Sequence, residues 1–255
     1  MVTGMRSPGR EWASWARGVG SLTMIVLSLS GMATPPAQPT PPAHQPAPSF
    51  TIIDWVPFVQ FGDIQYLASS VPGPTLTSSA LGPRYAQVRH KVEGNVHDPR
   101  YRPQNGDAAF LDVGTLLYLV KGYRATFRLA AHVQDSIVLF EADSNPHARR
   151  GVDLLDIAGK VRALEVTSSD DRKGRLAMIR QPQQIAGLVA LILRAPVDQQ
   201  RQMGPQGWTY ALTFYLHDGT RVRRVYDAPS GLLERGILLP HEFARLLQGA
   251  LRSQQ

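Results

Sequence analysis

From Trp208 to His217 the chain alternates without interruption. Trp208, Tyr210, Leu212, Phe214 and Leu216 fall on one side, and Thr209, Ala211, Thr213, Tyr215 and His217 on the other. Side chains of a β-strand point to opposite faces with a period of two, so this stretch is a strand with one buried and one wet face. Asp218-Gly219 follows, and both residue types tolerate the positive φ that a two-residue hairpin turn requires. Arg221 to Tyr226 is then the return strand. A lone hairpin is marginal in water, so its apolar face must pack on other elements.

Suitable partners lie on both sides in sequence. Pro182 opens a predicted helix, where its missing N–H costs nothing, and Ala195-Pro196 ends it. Ile185, Leu188, Val189 and Ile192 follow helical spacing and form one apolar stripe. A second helix opens at Pro240, with Phe243, Leu246, Leu247, Ala250 and Leu251 as its stripe. Val161 to Val166, Leu176 to Ile179 and Gly236 to Leu239 read as further short strands, and Ser168 to Gly174 as a polar turn.

The first half is also written with period two. Ile53, Trp55, Val59 and Phe61 share a face, as do Val88, His90 and Val92, and Phe127, Leu129, Ala131 and Val133. In this pattern Arg128 belongs to a wet face. Leu116 to Val120 and Ile137 to Ala142 are further strands, punctuated by Gly106-Asp107, Gly114-Thr115 and Lys121-Gly122. The expected fold class is therefore α+β. An antiparallel β-rich half over 50–145, a meander or small barrel, precedes an antiparallel sheet packed with two helices over 146–255. The segment Asp143 to Gly159 is the expected joint.

The first 33 residues read as a signal peptide or short membrane anchor. Arg6, Arg10 and Arg17 precede an apolar run from Val19 to Met32, the order of a secretory signal. That run has 14 residues, three of them serine, against the ~20 apolar residues a spanning helix needs. Gly31 and Ala33 offer small residues for cleavage before Thr34. Residues 34–49 form a Pro-rich linker, with seven prolines in 34–48, and should be an extended semi-rigid spacer. The expected location is extracytoplasmic: secreted, or tethered by the N-terminal segment if it stays uncleaved.

Lys and Arg outnumber Asp and Glu 27 to 20, which favours anionic partners. There is no cysteine, which excludes disulfides, thiolate metal sites, cysteine nucleophiles and a lipoprotein anchor.

Several runs resemble exported or lipid-anchored domains of Bacillus-type bacteria, a group with no established activity. They are Gly106-Asp107-Ala108-Ala109-Phe110, Gly114-Thr115 to Tyr118, Gly122-Tyr123, Phe127-Arg128-Leu129-Ala130, Glu141-Ala142-Asp143 and Tyr210 to Gly219. The resemblance spans most of residues 60–250. It implies a bacterial envelope setting and brings no active site with it. This chain departs from the lipid-anchored members in having no cysteine.

Motifs for known chemistry are missing. His241-Glu242-Phe243-Ala244-Arg245 approaches a zinc-protease helix, but Arg245 stands where the second imidazole must be. Glu242 there reads as a complement to the helix dipole. Asp143, Asn145, His147, Asp153 and Asp156 miss the spacing of a calcium loop and read as turn and cap residues. Glu141 and Asp143 share a strand face and are expected in solvent, as are the turn residues Asp98, Asn105 and Asp107. His90 falls on an apolar face and is expected buried. No nucleophile elbow, phosphate loop or dinucleotide fingerprint occurs. Neither a metal nor a cofactor is expected.

The remaining candidate is a binding surface. Alternation puts Arg221 and Arg223 on one strand face, with Arg224 opposite beside Val222 and Tyr226. Tyr215 can join them across the hairpin, and Arg235 is near in sequence. Guanidinium forks suit phosphate and carboxylate. The sequence thus reads as a non-catalytic extracytoplasmic binding module for a protein or an anionic envelope polymer, with nucleic acid not an expected partner. The alternatives are a hydrolase whose site assembles only in three dimensions, and a membrane-tethered sensor domain.

Overall fold

A computed structural model describes residues 54–69, 76–169, 174–201, 203 and 209–253. The predicted export segment, the Pro-rich linker, Ile53 and Trp208 lie outside the described residues. In chain order the first strands are β1 (Phe58–Phe61), β2 (Ile64–Ala68), β3 (Leu81–Gln87), β4 (His90–Lys91) and β5 (Asp107–Ala108). They are followed by β6 (Leu116–Val120), β7 (Arg128–Val133) and β8 (Ser136–Ser144). A short helix α1 (Gly151–Leu154) leads to β9 (Val161–Ser168) and β10 (Arg175–Ile179). Then come α2 (Pro182–Arg194), β11 (Tyr210–Leu216), β12 (Arg221–Asp227), β13 (Leu232–Leu233), β14 (Ile237–Leu238) and α3 (His241–Arg252).

The protein is α+β. Its first eight strands form one sheet in the order β3-β6-β7-β8-β2-β1-β5-β4. All pairings are antiparallel except β4 with β5. The two edges of this sheet are successive parts of one stretch of chain. Residues 81–87 pair with β6, and 90–91 pair with β5. Between them the Val88 N–H bonds Thr115 O, and the Arg89 N–H bonds Gly106 O. The sheet therefore curls into a small barrel, which removes its open edges. Val59, Phe61, Ile64, Tyr66, Val88, Leu117, Leu129 and Phe140 fill the interior.

The other six strands form an antiparallel sheet in the order β10-β9-β11-β12-β13-β14. The Asp218-Gly219 hairpin joins β11 to β12 as the sequence predicts, with Tyr215 opposite Arg221 and Thr213 opposite Arg223. One face holds Leu164, Val166, Leu212, Phe214, Val222 and Tyr226 against α2 and α3. The predicted α2 stripe of Ile185, Leu188, Val189 and Ile192 is buried there. On α3, Phe243, Leu247 and Ala250 are buried. Leu246, expected in that stripe, is 42% exposed, because the stripe seated on the sheet is narrower than the apolar pattern. The sequence did not foresee α1. It is held by the Asp153 carboxylate, which accepts the N–H groups of Arg149 and Arg150 at 2.8 and 2.9 Å.

The described residues form one compact unit. The core under the second sheet takes in Phe127 from just before β7, together with Leu154, Leu155 and Ile157 from the connection between the sheets. The outer face of β7 and β8 is covered by the hairpin and the turn after β13, as the polar contacts below show. The strands of the barrel nearest the second sheet are thus buried on both faces.

Candidate functional site

On the second sheet, β9, β11 and β12 bring a polar group together on the face away from the helices. Tyr215 lies between Ala163 and Arg221, and Thr213 between Glu165 and Arg223. The Tyr215 hydroxyl donates to Glu165 Oε2 at 2.7 Å. The Arg221 guanidinium stacks over the Tyr215 ring at 4.7 Å, and that of Arg162 lies 5.8 Å from it. Arg175 Nη1 is 3.9 Å from Glu165 Oε1. Arg223 is exposed on the same face. One guanidinium, Arg175, thus lies near the Glu165 carboxylate, two lie against the Tyr215 ring, and Arg223 stands exposed on the same face. The hydrogen bond to Glu165, helped by burial, raises the Tyr215 pKa, so its hydroxyl stays protonated and locked to that carboxylate. The ring is thereby a fixed platform on which cations stack.

Of the residues singled out from sequence, Tyr215, Arg221 and Arg223 share this face, and Arg235 does not. Arg235 points into the seam between the two sheets, with its side chain 9% exposed and Nε 3.3 Å from Asp143 Oδ1. Its Nη1 donates to the carbonyl of Ala142. Its φ of 70° lies in the left-handed region that a non-glycine residue adopts at a cost.

The same seam overturns two sequence expectations. Arg128, assigned to a wet face, is completely buried, and Glu141, expected in solvent, is 5% exposed. Both lie on the outer face of the barrel, where the second sheet covers them. Arg128 Nη2 donates to Glu141 Oε1 at 2.7 Å, and its Nη1 to Thr220 Oγ1 at 2.8 Å in the hairpin. The rings of Tyr123 and Phe127 flank its guanidinium, each centroid 4.8 Å away. From the other side, Arg224 Nη1 and Nη2 reach Glu141 Oε2 at 3.2 and 3.1 Å. Burial alone would raise the Glu141 pKa, but Arg224, Arg128 and Arg235 outweigh it and hold the carboxyl below its ordinary range. A signal for this existed in the sequence: Arg128 stands between Phe127 and Leu129, and Glu141 between Phe140 and Ala142. A period-two reading with one wet face had no place for them.

The other candidates resolve into local structure. Asn145 Oδ1 accepts the His147 N–H at 3.0 Å, a turn contact. Asp156 takes Lys160 Nζ at 2.5 Å and the Arg124 N–H at 2.8 Å. Among the described residues no three His, Asp or Glu side chains gather as a metal site would require. Glu242 stands in the first turn of α3. His90 is not buried: its side chain is 42% exposed, with Nδ1 3.4 Å from Asp107 Oδ1. Asp107, expected in solvent, is 4% exposed and accepts the Tyr101 hydroxyl and the Gln104 N–H, both at 2.7 Å. The loop before it folds back over the barrel rim, and this is what buries the carboxylate.

Comparisons with protein-family models, curated proteins and solved structures found no match to this chain.

Proposed function

We propose that this chain is a non-catalytic extracytoplasmic binding module that engages an anionic envelope polymer through the sheet face around Tyr215. The observation that supports this reading is the gathering of Arg162 and Arg221 on the Tyr215 ring, with Arg175 beside Glu165 and Arg223 exposed on the same face, while Glu165 holds Tyr215 fixed. Guanidinium forks present paired donors to phosphate or carboxylate oxygens. A repeating anion laid across the strands meets several of them at once, which gives avidity with modest contacts at each unit. Export through the N-terminal segment and a stiff Pro-rich spacer accord with a domain held clear of a surface.

Equilibrium binding to polyphosphate and to a polyuronate across a salt series tests the reading. Micromolar binding that weakens steeply with salt is expected. The double variant Arg221→Ala/Arg223→Ala should lose tenfold or more in affinity while its melting temperature stays put. Absence of binding to either polymer at moderate salt, with a single host protein captured instead, would replace the polymer by a protein partner. A mature N-terminus at Thr34, read by mass spectrometry on material from the native host, would mark cleavage and secretion. An intact N-terminus would make the chain a tethered module.

A further inference from the structure

At the seam, the end of β8, the residues Gln199, Arg201 and Met203, and the turn between β13 and β14 line an open cavity of about 370 Å³. That falls within the ~300–1,000 Å³ usual for small-molecule sites. We infer that this cavity binds a small zwitterion, an α-amino acid or a dipeptide, with its carboxylate on Arg235 and Arg201 and its ammonium on Asp143 and Glu234. Leu232 supplies an apolar part of the wall for a side chain.

Residues 197–199 are tied to the elements on either side. The Asp198 N–H bonds Gly236 O at 2.8 Å, and Val197 bridges Ile237. Gln199 donates through Nε2 to the carbonyl of Asn145, which ties the third wall to the barrel. Gly236 has a φ of +79°, and a Cβ there would stand 2.2 Å from Asp198 O, so only glycine permits this turn. The turn in its left-handed conformation aims Arg235 at the cavity and at Asp143 together.

The charges point to the ligand class. Arg235 is buried, and its Nε–H makes no hydrogen bond. Burial first, and then the neighbouring Arg224, pull its pKa down to about 10. Asp143, Glu141 and Glu234 offset that only in part, and a ligand carboxylate would add to them. A simple anion would also meet Asp143 and Glu234, and a simple cation would meet the two arginines. Arg235 and Asp143 already pair with each other, and a ligand with both charges adds a partner to each of them as well as to Arg201 and Glu234. Asp143 is one-third exposed and retains acceptor capacity beyond Arg235, and Glu234 spends only Oε2 on the Val225 N–H at 3.2 Å.

Calorimetry of the full chain with the common amino acids and glycine-containing dipeptides tests this, followed by the N-acetyl and amide derivatives of the tightest binder. The expected result is binding of one or more zwitterions, with each blocked derivative weaker by about ten- to a hundredfold, as loss of charged hydrogen bonds predicts. Failure of every amino acid and dipeptide to bind at millimolar concentration overturns the proposal, and so does a blocked derivative that binds as well as its parent. Because Arg235 also holds the seam, the variants are Arg201→Ala and Glu234→Gln. Each should keep the melting temperature of the unliganded protein and lose the ligand-induced rise. A rise that persists in both refutes the assignment. Arg221→Ala/Arg223→Ala should leave amino-acid binding intact, so this site and the polymer face stand or fall separately.

Discussion

Glu141→Gln removes one negative charge from the seam and almost no volume. In the native protein that carboxylate receives Arg128 Nη2 at 2.7 Å and both terminal nitrogens of Arg224 at 3.1 and 3.2 Å. Each guanidinium is attracted by ~4 kcal/mol at an effective dielectric constant of about 20, before the cost of leaving water is counted. The variant keeps that cost for Arg128 and Arg224, because their side chains remain buried at 0% and 3% exposure. Breaking a buried ion pair from one side costs about 3–5 kcal/mol. The amide oxygen can still accept one hydrogen bond, so the expected loss is near the lower end, ~3 kcal/mol. Against a total stability of about 5–15 kcal/mol, that is a large share. Urea unfolding followed by circular dichroism reads it directly, with an unchanged denaturant slope. Arg224→Gln in the same background should cost less than it does alone, because the two residues are coupled. A loss below about 1 kcal/mol, the level of an ordinary surface substitution, would refute the view that this carboxylate joins the two sheets.

Acid titration of stability follows from the same groups. Burial alone would raise the pKa values of Glu141, Asp153, Asp156 and Asp218, but ionic and hydrogen-bonding partners outweigh it and all four are lowered. A lowered folded pKa gives stability that is fully present above the unfolded value and is lost as pH falls through the folded one. Thermal stability should therefore change little on these groups' account down to their ordinary values of 4.5 for Glu and 3.8 for Asp, then fall steeply. A decline complete above those values would contradict the assignments. Gly151→Ala should destabilise by about 1–3 kcal/mol or more, because its Cβ would stand 2.0 Å from Ile192 O where α1 meets α2. A melting curve identical to wild type would show that this approach yields easily. Asp107→Asn removes the charge accepting from Tyr101 and Gln104 and should cost about 1–3 kcal/mol, with faster proteolysis in residues 98–106. Unchanged cleavage there would mean the loop is held by other contacts.

Much of the fold follows from local pattern. The Trp208 to His217 alternation and Asp218-Gly219 specify a hairpin because strand periodicity and turn conformation are properties of neighbouring residues. The same holds for α2, whose proline and apolar stripe mark its start and its buried face. The pairing of residues 81–87 and 90–91 with opposite edges of one sheet, which makes the meander a barrel, depends on partners far apart in sequence. Local pattern carries no record of such partners. The site divides in the same way. Alternation alone placed Arg221 and Arg223 on one face, since both lie on one strand. Only the folding of the barrel against the second sheet made Arg128 and Glu141 interior, and only the left-handed turn at Arg235 carried that side chain away from its sequence neighbours into the seam. Burial of a charge is decided by what covers it, and the elements that cover these charges lie 83 to 93 residues away along the chain.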